Sequence, residues 1–231
     1  MKFSIVIPCY NEEKNIPLLV ERLRECIKEN VEVILVNNGS SDQTEEILHQ
    51  YTEKFDFVRT VTVPVNQGYG YGILKGLEAA EGDYIGWTHA DMQTDPMDVM
   101  KGFDFVDGDQ DNLFIKGNRK GRPLFDRFFT NGMSMFETIY LGKKLEDVNA
   151  QPNIFPRSFF LEWKNAPYDF SLDLYVLYLA QVKNLKIIRF PVLFPERQYG
   201  ESHWNTGLAS KWKFIKRTID FSIKLKKGGI S

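Results

Sequence analysis

The chain has 231 residues, of which 43% are hydrophobic, and a formal net charge of −2 at pH 7. This size and apolar content suit one domain with a sizeable core, and the near-neutral charge gives no overall signature of a nucleic-acid partner. The two cysteines, Cys9 and Cys26, match no metal-ligand spacing and are expected to be reduced thiols.

The first half of the chain alternates short apolar runs with amphipathic segments. The opening run is too brief for a signal peptide, and no segment approaches the ~18 apolar residues of a membrane span. Strands are predicted at 3–7, 31–36, 57–63 and 83–87, the first stopped by Pro8, and helices at 16–27, after the turn at 37–41 and at 72–80. This alternation predicts parallel βαβ units, and therefore an α/β fold with a mostly parallel sheet flanked by helices.

The second half of the chain is less regular. A strand is predicted at 113–116, a basic loop at 116–122, helices at 125–140 and 172–182, and a late strand at 185–194. No internal repeat or low-complexity linker interrupts the chain, so a single domain is expected.

Polar residues follow three of the predicted strands. They are Pro8 to Asn11, Asn37 to Gly39, and His89 to Asp91. In a parallel sheet, ligands bind beyond the carboxyl ends of the strands, so we expect these three segments to converge on one crevice.

Asp91 ends a buried apolar strand and is followed by the amide side chain of Gln93. A carboxylate at such a position has lost much of its hydration and needs a partner. A divalent cation that carries a diphosphate is one such partner. A turn or a helix cap is the alternative for this aspartate.

Three segments together resemble the family-2 nucleotide-sugar glycosyltransferases. They are Ile5–Glu13, Asn66–Gly72 and Tyr84–Gln93. The best-matched branch is similar to the dolichyl- and polyprenyl-phosphate sugar synthases. The resemblance implies a Rossmann-like GT-A domain over residues 1–208 and an inverting sugar transfer. It also implies an Mg²⁺ or Mn²⁺ ion bound by Asp91 and Gln93.

The resemblance also assigns the remaining site residues. Catalysis would fall to Asp91, Asp173 and Arg197, with the arginine near the diphosphate. Donor contacts would come from Pro8, Tyr10, Asn11, Glu12, Asn37, Asn38, Gly39, Gly68, His89, Ala90, Arg119 and Ser202. The planar guanidinium of Arg119 suits a phosphate, although a solvated basic loop is an equal alternative there.

Two departures from the family pattern bear on activity. His89 stands where the Asp-Ala-Asp-X-Gln motif has its first Asp, and Asn37-Asn38 stand where the family carries Asp-Asp. A neutral imidazole suits Mn²⁺ but adds no second negative charge, so metal affinity or preference is expected to change. An amide can still read a base edge, since it both donates and accepts. A non-catalytic nucleotide-sugar binder therefore stays an alternative.

Asp173, with Asp169, lies in the region where the family carries an acidic residue on the acceptor side. An inverting transfer to a hydroxyl needs a general base, whereas a phosphate acceptor is already anionic. Because Asp173 opens a predicted helix, its pKa is expected to be lowered. Capping of that helix is the other reading.

Residues 209–231 form a basic amphipathic tail with apolar residues at helical spacing. This pattern suits an anionic membrane surface, or else a helix packed on the domain with a solvated basic face. We expect a cytoplasmic protein, with at most peripheral contact to the cytoplasmic membrane face. The implied acceptor is a lipid phosphate, and a soluble glycan or lipopolysaccharide precursor is the alternative.

Overall fold

A computed structural model describes residues 1–108, 112–195 and 208–228. In these ranges the strands are β1 Phe3–Cys9, β2 Val31–Asn38, β3 Val58–Val63, β4 Tyr84–Trp87, β5 Leu113–Lys120, β6 Asn153–Pro156 and β7 Lys186–Leu193. The helices are α1 Ile16–Cys26, α2 Thr44–Lys54, α3 Tyr69–Ala79, α4 Pro96–Phe103, α5 Leu124–Leu141, α6 Arg157–Leu161, α7 Leu172–Val182 and α8 Leu208–Lys226.

The strands form one sheet in the order β3-β2-β1-β4-β6-β5-β7. All neighbouring pairs are parallel except those made by β6, which runs antiparallel to β4 and β5. The expectation of a mostly parallel sheet flanked by helices is confirmed. Because β6 is reversed, its first residue, Asn153, pairs with Trp87 at the end of β4. The carboxyl edge of the parallel strands therefore also receives the residues that precede β6.

Two apolar layers cover the two faces of this sheet. Ile5 and Ile7 of β1 point into a layer shared with α1 and α4, whereas Val6 points into a layer shared with α3 and α7. This alternation follows from the two-residue period of a strand. The crossover helices thus bury both faces and leave the strand ends accessible.

Strand β1 continues through Pro8 to Cys9, so the prediction that Pro8 stops it is wrong. Val6 accepts a backbone hydrogen bond from Thr88, and β4 pairs with β1 only as far as Val6. Pro8 has the same orientation as Val6, since backbone groups alternate sides along a strand. Its missing N–H therefore faces the side where β4 has already ended.

Strand β5 also runs further than predicted, from Leu113 to Lys120. It pairs in parallel with β7 along its whole length, from Leu113↔Lys186 to Lys120↔Leu193. Lys116, expected at the start of a basic loop, consequently lies inside a strand and is fully buried.

Candidate functional site

The loops after β1 and β2 are joined by hydrogen bonds. The backbone N–H of Asn11 donates to Ser40 Oγ at 3.1 Å, and Ser41 N–H donates to Asn11 Oδ1 at 2.9 Å. Asn11 adopts φ 56°, a left-handed conformation that asparagine tolerates well. Pro8 is half-buried in β1, and Tyr10 is exposed beside these loops.

The backbone N–H of Glu12 donates to Thr44 Oγ1 at 2.9 Å, and its carboxylate accepts from Asn15 Nδ2 at 2.6 Å. Gly39 adopts φ +69°, and a Cβ there would lie 2.4 Å from the backbone nitrogen of Asn66. Only glycine fits this turn, which brings residues 65–66 against the end of β2.

Asn37 and Asn38 are both buried, but they make different hydrogen bonds. Asn37 Oδ1 accepts from Ser40 N–H at 3.1 Å and thereby closes the turn after β2. Asn38 Nδ2 donates to the carbonyl of Gly68 at 3.0 Å. Its Oδ1 is buried and has no hydrogen-bond partner among the described residues. A buried carbonyl oxygen of this kind is ready to accept a bond from a ligand.

Gly68 precedes α3 and has φ +120°. A Cβ there would lie 2.3 Å from the carbonyl oxygen of Tyr168. The glycine therefore lets the start of α3 approach the segment that leads into α7.

The turn after β4 places Asp91 and Gln93 on one loop. Gln93 N–H donates to Asp91 Oδ1 at 3.1 Å, and Met92 between them has φ 57°. Asp91 is buried, and the amide of Gln93 is oriented by its Nε2, which donates to the carbonyl of Pro195 at 3.2 Å. Ahead of the turn, Ala90 is buried and the half-buried ring of His89 stacks on Tyr69 with centroids 5.8 Å apart.

The donor set at this turn fits a hard divalent cation that takes most of its ligands from a substrate. Asp91 supplies one carboxylate and Gln93 one amide oxygen, the oxygen ligands that Mg²⁺ and Mn²⁺ favour. Along the described ranges, no three His, Cys, Asp or Glu side chains come together as a preformed metal cage. Mg²⁺ commonly binds through one or two carboxylates and substrate phosphates rather than through such a cage.

A buried polar network lies beside this turn, at the start of β6. Lys116 Nζ donates to the carbonyl of Ala150 at 2.8 Å and to Asn153 Oδ1 at 2.5 Å. Asn153 Nδ2 and Gln151 Nε2 both donate to Asp173 Oδ1, at 3.2 and 3.0 Å. The two amides, Gln151 and Asn153, were not predicted as site residues from the sequence. Their signal is a polar pair around Pro152, directly ahead of a buried apolar strand.

Asp173 lies in the first turn of α7 and is almost completely buried. Burial raises the pKa of its carboxyl group above the ordinary value, and the charge of Lys116 acts in the opposite direction. The expectation of a lowered pKa is therefore wrong, since desolvation outweighs the helix N-terminus and the amide donors. A raised pKa makes this carboxylate a better base.

Tyr69 connects the network to the loop after β4. Its hydroxyl accepts from Gln151 Nε2 at 3.3 Å, and its ring stacks on both His89 and Phe170. Strand β4, strand β6 and helix α7 therefore contribute to one continuous polar site.

Arg119 is held by Asp147. Its backbone N–H and Nε donate to the two carboxylate oxygens at 3.0 and 2.9 Å, and its side chain is only 8% exposed. The guanidinium also lies over the ring of Phe194, 5.2 Å from the centroid. Burial acts to raise the pKa of Asp147, but the charge and hydrogen bonds of Arg119 outweigh it and hold that pKa below its ordinary value. A phosphate contact from Arg119 would share the guanidinium with this carboxylate.

Two predicted site residues, Arg197 and Ser202, lie outside the described residues. The helix expected in the tail is present as α8, and it packs against α5. In the described part of the chain, no helix has both the length and the apolar character required to cross a bilayer.

Comparisons with known proteins agree with this geometry. A family model described as Glycosyl transferase family 2 matches residues 4–172. The undecaprenyl-phosphate 4-deoxy-4-formamido-L-arabinose transferase of Photorhabdus laumondii is 28% identical over 209 residues, covering 88% of this chain and 63% of that protein. The dolichyl-phosphate beta-glucosyltransferase of Homo sapiens is 34% identical over 110 residues, covering 43% of this chain and 34% of that protein. The chain spans less than two thirds of the length of these relatives.

Solved structures share the fold. Glucosyl-3-phosphoglycerate synthase from Mycobacterium tuberculosis, in complex with Mn²⁺, UDP-glucose and phosphoglyceric acid, matches with a TM-score of 0.75. The two chains are 18% identical, and the match covers 98% of this chain and 80% of the other. The architecture is thus that of a GT-A domain, as predicted. With the family model spanning β1 to the start of α7, the chain belongs to glycosyl transferase family 2.

Proposed function

We propose that the chain transfers a sugar, with inversion, from a nucleoside-diphosphate sugar to a lipid phosphate of the polyprenyl or dolichyl type. The observation that carries this proposal is the arrangement of Asn38, Asp91 and Gln93 on two strand ends that flank the end of β1. A buried unsatisfied acceptor lies on one side of β1, and a carboxylate–amide turn lies on the other.

The donor would lie along the carboxyl edge of β2, β1 and β4. Asn38 Oδ1 is suited to accept from a base N–H, because a buried oxygen without a partner gains a full hydrogen bond there. Asn11, Glu12 and Gly39 would shape the loop surface beneath the nucleotide. Pro8 and Tyr10 would complete this surface, with His89 and Ala90 on its far side.

Asp91 and Gln93 would hold a divalent cation at the diphosphate, with Mn²⁺ and Mg²⁺ as the candidates. When bound, the cation supplies positive charge that stabilises the leaving nucleoside diphosphate. Asp91 orients the turn through its bond from Gln93 N–H, so removal of its carboxylate would affect both the ligand and the loop. Arg119 and Arg197 would add positive charge near the phosphates.

Asp173 would act on the acceptor. Its carboxylate is desolvated and held by two amide donors, so its orientation is fixed by the protein. With a hydroxyl acceptor it would remove the proton, whereas with a phosphate acceptor it would position a group that is already anionic. The similarity to undecaprenyl-phosphate and dolichyl-phosphate sugar transferases favours the second case.

The tail supports a peripheral location at the membrane surface, because α8 is rich in lysine and the acceptor would reside in a bilayer. A soluble glycan or lipopolysaccharide precursor is the competing acceptor. His89 and the Asn37-Asn38 pair favour one further candidate, a nucleotide-sugar binder without transferase activity. These residues lower the negative charge of the site relative to the family pattern.

The test begins with calorimetric titration of uridine, guanosine and thymidine diphosphate sugars in Mn²⁺, in Mg²⁺ and in EDTA. We expect metal-dependent binding of one nucleotide that is lost in Asp91→Asn and kept in Asp104→Asn. Asp104 lies at the other end of α4 and pairs with Lys28, so it controls for loss of one carboxylate. Binding of no nucleotide in any condition would overturn the proposal.

Transfer is then measured with the bound donor and polyprenyl phosphate, with the product anomer assigned by NMR. Product of inverted configuration supports the full proposal. Metal-dependent donor binding without transfer to a lipid phosphate or a glycan would support the nucleotide-sugar binder without transferase activity. Transfer to a glycan alone would identify the soluble acceptor class.

A further inference from the structure

Helix α5 exposes apolar side chains on its outer face. Phe128, Met135 and Ile139 are 80%, 65% and 75% exposed. Their spacing of seven and four residues places them on one side of the helix, as a stripe about 17 Å long at 1.5 Å per residue. Gly132 lies within this stripe, and a Cβ there would meet no atom within 4 Å. We call these four residues the α5 stripe.

The inner face of α5 buries two polar side chains beside Phe129 and Met133. Ser134 and Glu137 are both more than nine-tenths buried and line a small cavity between α5, α7 and α8, where Thr218 of α8 also faces. An ordinary surface helix buries its apolar side and exposes its polar side. In α5 two polar side chains are buried while the apolar side chains of the α5 stripe are exposed, so the outer face is suited to a second apolar environment.

Helix α8 packs beside α5 and carries exposed basic and aromatic side chains. Lys226 Nζ donates to the carbonyl of Tyr140 at 2.8 Å and lies over its ring, which joins the ends of the two helices. Trp212 is 67% exposed. The exposed lysines of α8 are Lys213, Lys216, Lys224 and Lys226, and Lys227 follows the helix.

We propose that the α5 stripe inserts into the surface of an anionic lipid bilayer, with the α8 lysines contacting the headgroups. Apolar side chains bordered by lysine and tryptophan are the pattern of helices that lie in the membrane interface. A second copy of this chain is disfavoured as the occupant, because a symmetric contact would bring two lysine-rich α8 helices together. An anionic bilayer supplies the opposite charge.

This surface goes beyond the basic tail, because it assigns the apolar anchor to a helix inside the matched family region. Helix α5 begins four residues after the end of β5, the strand that carries Arg119. The stripe and the site therefore share one end of β5. The docking surface does not depend on transferase activity, so the two proposals can fail separately.

The test is co-sedimentation of the full chain with phosphatidylcholine vesicles, with and without phosphatidylglycerol. We expect binding to the anionic vesicles only. The triple variant Phe128→Ser/Met135→Ser/Ile139→Ser should bind at least about tenfold more weakly, because burying each apolar side chain contributes to partition. Leu161→Ser, which removes an equally exposed apolar residue from α6, should bind like the wild type.

Hydrogen exchange of the wild-type protein tests the surface without any variant. Peptides covering residues 124–141 should exchange more slowly with anionic vesicles than without them. The proposal would be overturned if the wild-type protein did not bind anionic vesicles, or if the triple variant bound them as well as the wild type. Unchanged hydrogen exchange in α5 would also overturn it. A dimer in equilibrium sedimentation that the triple variant dissociates would assign the stripe to a second copy instead.

Discussion

Lys116 on β5 lies opposite Asn153 on β6, and its Nζ donates to Asn153 Oδ1 at 2.5 Å. The side-chain amides of Asn153 and Gln151 in turn donate hydrogen bonds to Asp173 Oδ1. Burial lowers the pKa of Lys116 from 10.5 to about 7, and burial raises the pKa of Asp173. A cation and a carboxylate that are both costly to bury are thus linked through two amides, and each depends on the other.

Replacing Lys116 with methionine should destabilise the protein by about 3 kcal/mol, because it leaves a buried carboxylate and two buried acceptors without their cation. The measurement is the free energy of unfolding in urea. Lys101→Met removes a more exposed lysine paired with Asp98 and should cost less than about 1 kcal/mol. In the double variant Lys116→Met/Asp173→Asn part of the loss should return. Strict additivity of the two single losses would mean that the residues are not coupled.

Asp173→Asn should lower kcat at least about a hundredfold with little change in donor affinity, because Asp173 would act on the acceptor, either by positioning a phosphate or as the base for a hydroxyl. The matched control is Asp169→Asn, which removes a half-exposed carboxylate that pairs with Arg217 at 3.8 Å. The pH profile of kcat should lose its acidic limb in Asp173→Asn only. A parallel fall in stability and kcat with an unchanged pH profile would assign Asp173 to structure alone.

The ion pair of Asp147 with Arg119 should make the free energy of unfolding depend on pH in the acidic range. The folded-state pKa of Asp147 lies below its ordinary value, so its contribution is complete at neutral pH and is lost as the pH falls through the folded pKa. Asp147→Asn should lower the free energy of unfolding by about 3 kcal/mol at pH 7, because it leaves a buried guanidinium unpaired. The difference between the variant and wild type should shrink on acidification. A difference that stays constant from neutral pH into acid would contradict this account.

Glu137 should make the free energy of unfolding depend on pH in the direction opposite to Asp147. Burial raises the pKa of its carboxyl group from 4.5 to about 8, and in the described part of the chain no hydrogen bond or ion pair to that group is found. The folded state therefore binds more protons than the unfolded state between these values. This contribution to stability is complete below about pH 4.5 and is lost as the pH rises to about 8.

Glu137→Gln should remove that loss and stabilise the protein by about 2 kcal/mol at pH 8, after the cost of burying a neutral amide. Urea unfolding at a series of pH values provides the measurement. Glu46→Gln, on the exposed side of α2, should change neither stability nor its pH dependence. Equal pH dependence of wild type and Glu137→Gln would show that the carboxylate is hydrated in the folded protein.

Sequence periodicity was sufficient for most of the sheet. The strands β1, β2 and β4 are strongly apolar, and amphipathic helices separate the first four strands, so local pattern and tertiary burial agree. Helix α4 went unpredicted although its signals are present. Asp95 accepts from Met97 N–H as an N-cap, and Pro96 occupies the first turn. Strand β6 has only four residues, too few for a period to be read.

The loops after β1, β2 and β4 could be predicted because each follows a recognisable strand. The buried network could not, because its members come from β5, β6 and α7 and meet only through the reversed strand. Lys116 is the clearest case. A lysine in a basic stretch is ordinarily solvated, and only its pairing opposite Asn153 shows that it is buried.

The reversed strand β6 also bears on how the molecule opens. It lies between β4 and β5, and it is joined to β4 by four residue pairs and to β5 by two. Local opening free energies follow such narrow contacts, so the two sides of the sheet form natural candidates for separate cooperative units. A fluctuation that breaks β6 from β5 would part Lys116 from Asn153, whereas the loops after β1 and β2 would stay joined by their own hydrogen bonds. Brief openings would then admit water to the buried lysine–carboxylate network while those two loops stay in place.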